Sequence, residues 1–171
     1  MDTRADAHEI IPGIYLGNYL VASNYTLLQT MGITHVLNAA VEHPNYFENK
    51  GIIYLYLPLS DSPDEDISRF FEEGYNFIDS ALQLRGKVLV HCHAGISRST
   101  TMLASYMIKH YNKTAGDVLR HIRSIRKIVN PNHGFIVQLL DYIPRKNLPV
   151  SSNHNKFDNY SDFSLEGYTT V

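Results

Sequence analysis

The chain has one cysteine in 171 residues, which excludes an internal disulfide framework. No apolar run approaches the roughly 18 residues a membrane-crossing helix needs, and the opening MDTRADAHEI lacks an apolar signal core. These shortages set the expectation of an intracellular protein with no membrane partner. The cytoplasm is the expected compartment and the nucleus a second one. An excess of either charge is also lacking. Fifteen basic residues stand against 17 acidic ones, for a formal net charge of −2, and no nucleic-acid partner is expected from so even a balance. No internal repeat and no linker interrupts the first 146 residues. What is present, 44% hydrophobic and 19% charged residues, suits one ordinary domain with a single substantial core.

The strand candidates are IYLG (14–17), ITHVLN (33–38), IIYLYLPL (52–59) and KVLVH (87–91). The last two are nearly continuous apolar runs, the pattern of strands buried on both faces of a sheet covered by helices. Helical spacing marks 67–82, where Ile67, Phe70, Phe71, Tyr75, Phe77, Ile78 and Leu82 recur on one face. Ser62 is one N-cap for it, with Pro63 as first helical residue and Glu65 as third; Asp66 is an equal alternative. Residues 99–111 are apolar nearly all round and predict a central buried helix. Residues 115–129 place Val118, Leu119, Ile122, Ile125 and Ile128 or Val129 on one stripe, leaving Arg120, Arg123, Arg126 and Lys127 on a solvated side. A last helix runs over 133–143 and ends at Pro144. The expected fold is α/β, a central mixed, mostly parallel sheet flanked by helices, in one domain over 1–146. Residues 147–171 are polar and aperiodic, and predict a flexible C-terminal tail.

The lone cysteine sits in HCHAGISRS (91–99), directly after the strand KVLVH and directly before a helix. A strand, a tight glycine-containing loop and a helix N-terminus make an anion cradle, because successive backbone N–H groups and the helix dipole favour negative charge there. Residues His93, Ala94, Gly95, Ile96 and Ser97 supply the loop. Gly95 offers a position free of the penalty for positive φ, and Arg98 a planar fork for two phosphate oxygens. The same surroundings favour the thiolate of Cys92, which is placed for in-line attack on phosphorus. A leaving alkoxide or phenolate then needs a proton. Asp61 comes first on the loop after IIYLYLPL, ahead of the helix-start charges Asp64, Glu65 and Asp66, and is the candidate acid, then base for the hydrolytic water. Ser99 is placed to donate to the Cys92 sulfur as it leaves.

HCHAGISRS matches the HCxxGxxRS loop of the cysteine-dependent protein tyrosine phosphatase superfamily and resembles its dual-specificity branch in particular. GIYLGNYLVASN, MGITHVLNA, LPLSDSPDEDI and VNPNHGFIVQLLDY resemble further segments of that branch, in the same order, so the likeness covers roughly residues 8–143. The resemblance implies Cys92 as nucleophile, Arg98 as phosphate clamp, Asp61 as general acid and Ser99 as helper in hydrolysis. By it, His91 orders the loop from behind, His93 is a variable rim position, and Arg126 helps hold a second substrate phosphate. The segment VLNAAVEHPN is short, and nothing resembles the long phosphotyrosine-recognition loop of the tyrosine-specific branch. A shallow cleft admitting phosphoserine and phosphothreonine beside phosphotyrosine follows, in a compact, atypical-type member. The implied partners are phosphorylated proteins, a protein kinase among them, and no cofactor is implied.

Other readings stand beside this one. HCH offers metal ligands, but adjacent strand residues point to opposite faces and no second CxxC or HxxxH completes a site, so no metal is expected. Phosphoinositide or RNA 5′-phosphate hydrolysis would use the same chemistry, although HAGIS lacks the lysines usual in lipid-directed relatives. A catalytically silent phosphate-binding module would typically have lost the cysteine, arginine or acid, and all three are present. The terminal TTV resembles a ligand for PDZ-type domains, and names a PDZ-type partner at the C-terminus on three residues alone.

Overall fold

The computed structural model describes residues 4–142. The expected tail, Pro144 and the terminal TTV lie outside them. Five short strands form one sheet in the order β1-β2-β5-β3-β4. They are β1 Ala7–Ile11, β2 Ile14–Gly17, β3 His35–Asn38, β4 Ile53–Tyr56 and β5 Val88–His91. The pair β1 and β2 is antiparallel, and every other pairing is parallel, as the α/β expectation required. Strand β1 was not anticipated. It pairs back on β2 through a tight turn at Gly13, where φ is +83° and the N–H donates to the Glu9 side chain.

Strand β5 lies between β2 and β3 with all four residues buried. Alternation along it divides the hydrophobic interior into two cores. Val88 and Val90 join Ile14, Leu16 and Leu37 on one face, against α3 Phe71–Gln83, α4 Arg98–Tyr111, α5 Ala115–Ile125 and α6 His133–Asp141. Leu89 joins Val36 on the other, against α1 Tyr19–Ala22 and α2 Tyr25–Met31. Helix α4 is the expected central helix, buried continuously from Arg98 to Ile108. Met102, Leu103, Met107 and Ile108 each contribute about 1.5–3 kcal/mol by burial, so the helix end next to Cys92 is firmly anchored. Asn18, Asn24, Thr114 and Asn132 start their helices by accepting a backbone N–H with the side chain.

Four local expectations need correction. The run 52–59 does not make a strand buried on both faces. Its strand β4 is the sheet edge, with Ile53 and Tyr56 exposed, and the apolarity serves Ile52, Leu57 and Leu59, which are buried on either side of it. The helix expected over 67–82 begins with a 3-10 turn, Ser68–Phe70, and no side chain caps α3. Ser62 and Asp66 spend their oxygens on Asp64 N–H and Ser68 O–H, within their own loop. Helix α5 stops at Ile125, where Arg126 turns to extended backbone, four residues early. Helix α6 ends at Asp141 rather than at 143.

Helix α6 also backs the loop after β4. A Cβ at Gly134 would run into the Pro63 carbonyl, two residues from Asp61. Gly134→Ala is expected to cost about 1–3 kcal/mol by overpacking, read as a lower midpoint in urea unfolding. Its neighbour Val137, 40% exposed, should tolerate the same change within about 0.5 kcal/mol.

Candidate active site

Strand β5 delivers the chain to Cys92, and α4 leads away from Arg98, leaving a loop of five residues between them. Every carbonyl from Cys92 to Ser97 is hydrogen-bonded to the surrounding scaffold. Cys92 O accepts from His91 Nδ1, His93 O from Tyr19 N–H, Ala94 O and Gly95 O from Arg126, Ile96 O from Asn130 N–H, and Ser97 O from Thr101. Among the described residues, the N–H groups of 93–97 find no protein acceptor. The loop thus turns its acceptors outward and keeps its donors for the concave side, which is the requirement for binding an oxyanion. Gly95 has φ +69°, and a Cβ there would stand 2.5 Å from Gly17 O and 2.9 Å from Arg126 Nη2. No other residue type fits this turn.

Cys92 is 1% exposed, and Ser99 Oγ donates to its sulfur over 3.1 Å from the first turn of α4. Arg98 is buried with its guanidinium planted in the loop 39–46: Nη1 and Nη2 donate to the two Glu42 oxygens at 2.6 Å each, and Nη1 also to Leu59 O. The Arg98 hydrogen bonds hold Glu42 far below the usual carboxylate range, at about 2, against the opposing pull of burial. Burial works against the Arg98 charge, but Glu42, Cys92 and Asp61 outweigh it and raise its pKa. Its Nε has no hydrogen-bond partner and lies 4.0 Å from Asp61 Oδ2.

Asp61 is brought over the loop by two donors to its Oδ1, Ser97 Oγ at 2.7 Å and Asn132 Nδ2 at 2.9 Å. Two of the three neighbouring carboxylates are engaged within their own segment, Glu65 by Ser60 N–H and Asp66 by Ser68 O–H. His91 is fully buried behind Cys92. Burial is the main cause that pushes it down to about 4, so it is a neutral imidazole whose Nδ1–H is committed to Cys92 O.

Cys92, Arg98, Asp61 and Ser99 therefore converge, with the five loop residues around them and His91 behind. Arg126 does not lie on a solvated helix side. It is 1% exposed, and its donors go to Ala94 O, Gly95 O, Asp6 and His8. The early end of α5 drops it beneath the loop, where it braces two carbonyls rather than reaching for a second phosphate. Of the rest of that side, Arg120 pairs with Asp117 and Arg123 donates to Val129 O, and Lys127 is exposed. Sequence reasoning missed Glu42 as the partner of Arg98, Asn132 as a partner of Asp61, and Asn38. Fully buried Asn38 shapes the loop 39–46 by donating to His43 O and Asn45 and accepting from Ala40 N–H. The only available signals were an asparagine ending a strand and an isolated glutamate in VLNAAVEHPN.

The family model "Dual specificity phosphatase, catalytic domain" matches residues 14–145. Over 139 residues the chain is 41% identical to dual specificity protein phosphatase 26 of Homo sapiens, a match covering 78% of this chain and 65% of that protein. It is 41% identical over 150 residues to MAP kinase phosphatase with leucine-rich repeats protein 3 of Dictyostelium discoideum, covering 86% of this chain and 17% of that one. The chain thus spans less than two thirds of either relative. Among solved structures, the human tyrosine phosphatase-like serine/threonine/tyrosine-interacting protein superposes with a TM-score of 0.74 at 39% identity, covering 80% of this chain and 94% of that one.

Two measurements check this arrangement. Because His91 is held below its ordinary 6.5, the unfolded chain takes up its proton first as pH falls; stability is full above about 6.5 and lost progressively down to about 4. Urea unfolding between pH 8 and 4.5 should show a loss approaching about 3 kcal/mol from this group, and His91→Asn should flatten that slope. Arg126→Met leaves Asp6 and two loop carbonyls without their donor. It should cost roughly 2–4 kcal/mol and misplace the loop even at temperatures where the fold survives.

Proposed function

The chain belongs to the dual specificity phosphatase family, and we propose that it hydrolyses phosphotyrosine and phosphoserine or phosphothreonine in proteins through a phosphocysteine intermediate. Phosphorylated proteins, a MAP kinase class of substrate among them, are the proposed partners, in keeping with the name of the Dictyostelium relative. The observation that carries the reading is the meeting of Cys92 and Arg98, at the two ends of one loop, with Asp61 from a separate segment, where the loop's unspent groups are all hydrogen-bond donors.

In the first half of the reaction, Cys92 thiolate attacks phosphorus, an S–P bond forms and the P–O bond to the leaving group breaks. Loop N–H groups and the Arg98 guanidinium take the charge of the three remaining oxygens, and Asp61 passes its proton to the leaving oxygen. In the second half, Asp61 takes a proton from water as that water attacks phosphorus. The S–P bond breaks, inorganic phosphate departs, and the Ser99 hydroxyl, 3.1 Å from the sulfur, stabilises the returning thiolate. Glu42 keeps the Arg98 fork in plane throughout, a role that its bidentate contact supports.

The likeness to a protein named tyrosine phosphatase-like and interacting favours a binding module as the second reading. The presence of nucleophile, clamp and acid together weighs against it. The deciding test is turnover of an aryl phosphate at neutral pH by the full chain. Cys92→Ser should abolish it while the fold persists. Asp61→Asn should slow it by about 10² to 10⁴, and the loss should shrink for leaving groups that need no proton. If wild-type protein binds phosphopeptides without releasing phosphate, the silent-module reading replaces this one; phosphoinositides or triphosphorylated RNA turned over in preference would redirect the substrate class.

A further inference from the structure

The loop 39–46 brings a second set of donor atoms to the mouth of the bowl. His43 Nε2 and His93 Nδ1 face each other at 2.9 Å, with ring centroids 5.2 Å apart and planes within 10°. Such a short nitrogen contact at that centroid distance means that the imidazoles lie edge to edge in nearly one plane. Tyr19 packs flat against both, at 4.4 and 4.9 Å, and fixes that plane. With a Glu42 oxygen, the three donor atoms lie within 4.8 Å of one another, the one such trio among the described residues. HCH supplies no ligand pair by itself, as the sequence indicated: His91 is buried in the fold, and the second imidazole beside His93 comes from 50 residues earlier in the chain.

We infer that His43, His93 and Glu42 form an inhibitory site for a divalent cation of the Zn²⁺ class at the rim of the phosphate loop. Two imidazoles and a carboxylate with an open fourth position are a usual zinc donor set. With Zn–N bonds of about 2.0–2.1 Å at a tetrahedral angle, the two nitrogens open from 2.9 Å to about 3.4 Å and each ring pivots within the shared plane by about 35° to aim its lone pair at the ion, which replaces the shared proton. The outer shell is in place as well. Once Nε2 binds the ion, His43 Nδ1–H donates to Tyr46 Oη, 3.0 Å away, which fixes the ring.

The inhibition rests on the reading of Arg98 as phosphate clamp. Glu42 gives both oxygens to Arg98, but its side chain is 39% exposed and has room to turn. An oxygen turned to the ion leaves Arg98 held through one arm and Leu59 O. Cation binding and the correct set of the clamp therefore compete for one carboxylate.

The test is Co²⁺ titration of the full chain, read by visible absorption, beside Zn²⁺ inhibition of aryl phosphate hydrolysis with chelator reversal. Visible bands of a four-coordinate nitrogen–oxygen site should form without a near-ultraviolet sulfur-to-cobalt band. They should persist in Cys92→Ser, vanish in His43→Gln, and require about 10- to 100-fold more metal in Tyr46→Phe. The Zn²⁺ concentration for half inhibition should rise about tenfold or more in His43→Gln, with each variant scaled to its own chelated rate. Absence of bands in the wild type, or a sulfur band removed by Cys92→Ser and kept in His43→Gln, would overturn the site. Bands in a protein without phosphatase activity would uphold the site and refute the function instead.

Discussion

The structure depends on where six consecutive carbonyl oxygens point. A loop can offer a row of N–H groups to an anion only if its carbonyls are drawn the other way, and each of those needs a donor of its own. Here the donors come from every side of the fold: a histidine on β5, the first amide of α1, a buried arginine after α5, an amide beyond it, and α4 itself. No single element could bend the loop so. The two-sided core that grips β5 and the continuous burial of α4 hold its two ends at a fixed separation, and the donors then decide the sense of each peptide between them. Gly95 completes this by giving the turn a backbone that Gly17 would otherwise obstruct.

Electrostatics follow from that geometry. Seating a guanidinium in a buried place costs several kcal/mol unless it is paired, and the Glu42 pair offsets most of that cost while leaving Nε free toward Asp61. The same pairing settles the functional difference between the two arginines. Arg98 is balanced by a carboxylate at the site and keeps two N–H groups unspent, on Nε and Nη2, whereas Arg126 is balanced by Asp6 on the far side of the loop and turns its other donors to His8 and the backbone. Both are buried and both are indispensable to the bowl, one as its wall and one as its brace.

That distinction marks the limit of what could be read from the sequence. The central strand, the loop, the central helix and the acid candidate were all legible, because each is a local pattern: an apolar run, a glycine turn, helical periodicity, the first carboxylate after a strand. What escaped were pairings between residues far apart in the chain. Arg126 meets Asp6 across 120 positions and Arg98 meets Glu42 across 56, and nothing in either neighbourhood advertises its partner. The edge position of β4 was hidden for a related reason, since an apolar run looks alike whether its middle or its ends are buried. Helix periodicity likewise carried α5 through Arg126, because spacing cannot tell a solvated cation from one whose charge is met by the opposite end of the domain.

The candidate acid shows how local and distant constraints combine. Asp61 lies on a loop with no regular structure, yet its place is held twice. Ser97 donates to it while accepting the Asn132 amide, and Asn132 donates to it while starting α6 through its own side-chain oxygen. Two residues on, in the first turn of α6, Gly134 packs directly beneath Pro63. The residue that opens α6 thus sets Asp61 by a hydrogen bond, and the helix sets the Asp61 loop by contact. Because Ser97 also belongs to the loop 93–97 that follows Cys92, Asp61 and Cys92 share one support, and a shift of the loop would move both together. Their separation is kept by protein contacts alone, and in the proposed reaction that spares the cost of assembling the proton donor on each turnover.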